Sequence, residues 1–110
     1  MNNIRLIKDF APGAASEMAK DLEVSELFDG AFRKLIEVRL RSGALLSRHK
    51  AKEPITVFCI SGNGVFKAGE NLEELQALNA GILITLDAGV EHEVVATSEL
   101  HLIVTKFKNS

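Results

Sequence analysis

Tryptophan and tyrosine are absent from this chain of 110 residues, and phenylalanine occurs only six times. Platforms on which the bases of a single-stranded nucleic acid stack are therefore scarce. Neither sign of charge dominates, with 13 Lys and Arg against 15 Asp and Glu. The basic residues Arg33, Lys34, Arg39, Arg41, Arg48, Lys50 and Lys52 are interleaved with acids and form no stripe that would follow a phosphate backbone. Neither nucleic acid nor a membrane surface is expected as a partner. The single cysteine, Cys59, cannot close an internal disulfide. Apolar runs are far too short to cross a bilayer, and the opening Met1-Asn2-Asn3-Ile4-Arg5 is not that of a secretion signal. The expected compartment is the cytoplasm. No phosphate-binding loop, dinucleotide fingerprint, CxxC pair or HExxH occurs. Gly62-Asn63-Gly64 opens like GxGxxG, but Lys67 stands at the third glycine position, and the tripeptide reads as a hairpin turn.

What is present describes one folded domain, at 46% hydrophobic and 25% charged residues. Turn signals recur at Asp29-Gly30, Ser42-Gly43, Gly62-Asn63-Gly64, Ala68-Gly69, Ala80-Gly81 and Ala88-Gly89. The short segments between them suit antiparallel strands of a sandwich or barrel. In 32–41, Ile36, Val38 and Leu40 alternate with Glu37, Arg39 and Arg41, giving one wet face. The segments 55–60 and 82–86 are β-branched and apolar, as in strands covered on both faces. Looser alternation marks 91–96 and 100–107. Leu72, Leu75 and Leu78 fit either a helix or a bulged strand, and the flanking glycines favour the strand. Residues 1–30 read as an irregular N-terminal arm of the same domain. It would hold a strand over 4–10, a short helix over 14–22 with Ser16 as N-cap, and a strand over 24–28.

His49 follows Gly43 by six residues and precedes Gly62 by thirteen, and His92 follows Gly81 by eleven and Gly89 by three. These spacings resemble the two signature blocks of the cupins, G-x5-H-x-H-x3-4-E-x6-G and G-x5-P-x-G-x2-H-x3-N. The resemblance covers residues 31–107. It implies an all-β fold, a small cupin-type barrel or jelly roll of two antiparallel sheets, with the barrel at 31–110. In metal-binding members, two His and one Glu of the first block join one His of the second around an ion. Here the second His position is Ala51 and the Glu position is Ile55, while Asp87 replaces the proline and Ala96 the asparagine.

Two imidazoles underligand a divalent ion. The expected function is thus a cupin-domain protein binding a small molecule in its lumen near His49 and His92, without a fully liganded catalytic metal. Ile55, Val57 and Cys59 are the other expected ligand-binding residues, with Leu45, Ala51 and Val94 completing an apolar lumen. The alternative is a metal-dependent enzyme of the oxygenase or isomerase type, in which His49 and His92 bind a divalent metal with Glu53 or His101 as a third ligand. On alternation alone, His101 either lines the lumen or serves structure. Cys59 reads as a packed, unreactive thiol. Phe58 and Ile60 have the opposite parity to the inward residues, and a one-layer barrel must cover such side chains. A homodimer burying Phe28, Phe32, Phe58 and Ile60 is expected.

Overall fold

The computed structural model describes residues 3–7, 21–41 and 43–108. Seven strands follow one another: β1 (Leu22–Asp29), β2 (Arg33–Leu40), β3 (Leu45–Lys50), β4 (Ile55–Ala68), β5 (Glu74–Leu78), β6 (Leu83–Leu86) and β7 (Glu91–Phe107). All pairings are antiparallel. No helix among the described residues is long and apolar enough to cross a membrane.

Two long strands organise the fold. β4 and β7 pair along nearly their whole length, from Ile55 opposite Lys106 to Ala68 opposite His92. One half of this ribbon carries β2 and then β1 beside β7, and β6 beside β4. The other half carries β3 beside β7 and β5 beside β4. The ribbon bends between the halves, so its two ends belong to opposing sheets of one barrel. The bend lies where the register slips, between Cys59 and Ser61 and again between Gly62 and Gly64.

This corrects the reading of Gly62-Asn63-Gly64 as a hairpin turn, because the tripeptide lies inside β4. Its glycines serve the bend. A Cβ on Gly62 would fall 1.6 Å from the carbonyl oxygen of Glu99, and one on Gly64 would fall 2.5 Å from Leu100 Cδ1. The extra residue in β4 also changes which residues face inward. Ile55, Val57 and Cys59 are buried before it, and Gly64, Phe66 and Ala68 after it.

Other expectations shift with the pairing. Residues 91–96 and 100–107 form one strand, not two. Strand 24–28 lies within β1, which pairs with β2 from Leu22 to Asp29; the sheet therefore starts inside the stretch read as an arm. The 4–10 strand is not formed at 4–7, and 8–10 and the helical segment 14–20 lie outside the described residues. Only Glu74–Leu78 of the leucine-spaced segment is strand, with Leu72 in the preceding turn at φ 53°. Strand 55–60 is covered on one face only, since Phe58 is 41% exposed.

The barrel is filled at one end and hollow at the other. Leu40, Cys59, Leu78, Ala96 and Leu100 are fully or almost fully buried at the filled end, where Leu100 packs against the bare backbone of Gly64. This close-packed plug leaves the functional question to the hollow end.

Candidate functional site

The hollow end is a cavity of about 120 Å³. Its wall is apolar, drawn from β2 (Ile36, Val38), β4 (Ile55, Val57, Phe66) and β7 (Val94, Leu102, Val104), with Leu46 of β3 and Ala51. Three polar side chains reach it: His49, His92 and Lys106.

Strand register brings the two histidines together. His49 of β3 is the cross-strand partner of His92 of β7, and their ring centroids lie 4.1 Å apart, edge to face. A bulge between Leu46 and His49 turns both residues inward. Simple alternation from Leu45 misses this shift: Leu45, expected in the lumen, is 45% exposed, and Leu46 takes its place. His92 is buried and stacks on Phe66 at 5.7 Å with the rings nearly parallel. His49 is exposed and forms the rim.

Each ring is fixed through Nδ1. The His92 Nδ1 lies 3.0 Å from the Val90 carbonyl oxygen, and the His49 Nδ1 lies 2.7 Å from that of Ser47. A carbonyl only accepts, so Nδ1 carries the hydrogen in both neutral rings and Nε2 is left with its lone pair. The rim is fastened by Arg48, whose guanidinium hydrogen-bonds Glu91 and the Glu70 carbonyl. That contact holds the Glu91 carboxyl below the usual carboxylate range.

Burial pushes the His92 imidazole below its ordinary value of 6.5, and the nearby charges of His49 and Lys106 act in the same direction against the bond to Val90. The folded protein thus holds this proton more weakly than the unfolded chain does. Stability from the neutral ring is fully present above pH 6.5 and is lost as pH falls through 6.5 toward the lower folded value. In urea titrations, the wild type is expected to lose more stability than His92→Gln between pH 7 and pH 5. Equal losses would show that His92 titrates as in the unfolded chain.

The remaining expected site residues separate. Ile55, Val57, Ala51 and Val94 line the cavity as expected. Cys59 faces inward but lies in the filled end, fully buried, its Sγ 3.5 Å from the Ser61 carbonyl oxygen and its thiol pushed up by burial. It does not border the lumen. His101 is inverted relative to the lumen residues, because the inward set on β7 is even-numbered (His92, Val94, Leu102, Val104, Lys106). It is buried on the other face with Nε2 2.5 Å from Glu37 Oε2, beside the Arg39–Glu37 pair. Glu53 is half-buried in the loop between β3 and β4 and is not part of the cavity wall. Neither residue joins His49 and His92. Lys106 was absent from the expected site, since its alternation with Phe107 places it inward only once the register of β7 on β4 is known.

No protein-family model and no curated protein matches the sequence. Solved structures do. A conserved protein of unknown function from Streptococcus pyogenes superposes with a TM-score of 0.77 at 19% identity, covering 99% of this chain and 94% of that one. An RmlC-like cupin with a double-stranded β-helix fold from Methanocaldococcus jannaschii gives 0.75 at 16% identity, with 96% and 93% covered. A cupin domain from Bordetella pertussis gives 0.68 at 20% identity, with 80% and 94% covered.

The metal that some members of that fold hold is not matched by the residues present. The positions beside His49 that would complete a ligand set are the buried aliphatic side chains Ala51 and Ile55. Among the described residues, no three His, Cys, Asp or Glu side chains converge. Two imidazoles fall short of the usual three or four protein ligands. With its bent strand ribbon, its paired histidines on facing strands and these neighbours, the chain has the fold of a small cupin domain.

Proposed function

We propose that this cupin domain binds a small organic molecule in its lumen, with no resident catalytic metal. The observation that supports this most strongly is the composition of the cavity. Its wall is largely hydrocarbon and carries only a few polar side chains, His49, His92 and Lys106, which is the usual make-up of a small-molecule site. Two Nε2 lone pairs, fixed in direction by their Nδ1 bonds, supply orientation. Its volume is near that of the roughly 150 Å³ apolar cavity that accepts benzene in another protein, so the ligand is small.

The test is a fragment panel followed by methyl and imidazole NMR, with elemental analysis of the same tag-free protein. Fragment-dependent shifts at Val57, Val94 and Leu102 and at both imidazoles are expected, reduced in His49→Ala and His92→Ala. Near-stoichiometric metal in the wild type that is lost in both variants would overturn the reading in favour of a metal-dependent enzyme.

The same proposal includes pairing of two copies in the cytoplasm. Phe58 of β4 and its cross-strand partner Leu83 of β6 are both exposed on the outer face, and Phe32, in the turn before β2, is exposed as well. Phe28, under the Arg33 guanidinium, and Ile60 are half-buried within the chain itself. Sedimentation of the NMR sample is expected to give twice the 12.0 kDa chain mass, and a monomer at micromolar concentration would exclude the pair.

A further inference from the structure

Lys106 is a half-buried cation in a lumen whose other polar side chains are His49 and His92. Among the described residues it has no carboxylate partner, whereas Lys34, beside it on β2, is paired with Glu26 at 3.2 Å. Lys67 and Lys108 likewise have acidic partners. A ligand carboxylate would supply the counter-ion that the described chain does not.

The bend in β7 places Lys106 and His92 at opposite ends of one strand but on the same cavity. The cavity therefore offers one cation and two imidazole acceptors. One cation balances one negative charge, which suits a carboxylate better than a doubly charged phosphate monoester. The acceptors require a donor, and a hydroxyl beside the carboxylate is the smallest group that supplies it. Below them, Val38, Val57, Val94 and Leu102 require an apolar remainder.

We propose that the lumen takes a short apolar 2-hydroxy monocarboxylic acid. Its carboxylate is held by Lys106, its hydroxyl donates its one hydrogen to an Nε2 of the His49–His92 pair, and its hydrocarbon part lies against the lumen wall. This rests on the lumen-binding reading above and assigns that site its ligand class.

Calorimetry and NMR with 2-hydroxyisovalerate, isovalerate and 2-hydroxyisovaleramide test each group in turn. The hydroxy acid is expected to bind about tenfold more tightly than its amide, and roughly threefold or more above isovalerate. Lys106→Met is expected to remove the preference for acid over amide, and Lys106→Arg to retain most of it. A preserved fold in each variant is checked by the amide spectrum. Equal affinity for acid and amide in the wild type would overturn the carboxylate assignment and leave lumen binding intact. Equal affinity for 2-hydroxyisovalerate and isovalerate would overturn the role of the imidazoles. If the fragment panel shifts lumen methyls but none of the three probes does, the ligand class is wrong. If neither does, the lumen reading falls with it.

Discussion

Gly62→Ala is expected to destabilise the protein by about 4 kcal/mol or more, enough to leave much of the chain unfolded at 37 °C. Two costs combine at this position. The backbone sits at φ 93°, a conformation that L side chains rarely adopt. The new Cβ would also fall 1.6 Å from the Glu99 carbonyl oxygen and 2.9 Å from the Leu100 Cα. The atoms it meets are backbone, so no rotamer change relieves the clash. Relief requires moving β7 away from β4 at the bend that joins the two sheets. Gly43→Ala is the control, with a similar φ of 82° and nothing within 4 Å of its Cβ. It is expected to cost only about 1 kcal/mol. Urea denaturation of both variants checks the contrast, and equal, small losses would mean that β7 yields easily at the bend.

Leu102→Ala is expected to cost about 3 kcal/mol, or roughly 15 °C in Tm for a domain of this size. Leu102 is completely buried, lies between Val38 and Cys59 in the ladder, and forms part of the lumen wall. Truncation removes its buried hydrocarbon and enlarges a cavity that its neighbours do not close. The stability loss should therefore come with a gain of function. Apolar fragments too bulky for the wild-type lumen are expected to bind the variant, and their binding should recover part of the lost Tm by mass action. Leu102→Met, which keeps the volume, is expected to cost less than about 1.5 kcal/mol and not to admit the larger fragments. Differential scanning calorimetry with and without the fragments measures both effects.

Alternation and turn chemistry made much of the barrel legible. Ile36, Val38 and Leu40 face inward on β2, and Ile55, Val57 and Cys59 on the first half of β4, as a period of two requires. The block spacing singled out His49 and His92, which the fold places opposite each other on β3 and β7. The misreadings cluster at register shifts. A bulge moves the inward position from Leu45 to Leu46, and another carries Gly62 and Gly64 into a continuous strand. Local sequence does not announce such slips, because the residue that makes room for one is chosen by the strand beside it. Gly62 is a glycine on account of Glu99, 37 positions away in the chain. The same holds for Lys106: a lysine near the end of a strand ordinarily reads as solvated surface, and only the fold reveals the lumen beside it.

The two histidines differ in how firmly the scaffold holds them. His92 rides on β7, which is bonded on both sides, to β3 and to β4. His49 rides on β3, which among the described residues pairs with β7 alone. One wall of the mouth is thus an interior strand and the other an edge. On the proposed lumen-binding reading, admission of a ligand would need only the edge to swing outward, while the interior strand would keep its imidazole in place. Amide hydrogens of β3 should consequently exchange orders of magnitude faster than those of β7 beside them, and a bound ligand bridging the two rings would slow β3 selectively. Entry and recognition would then be divided between two residues of the same chemical type.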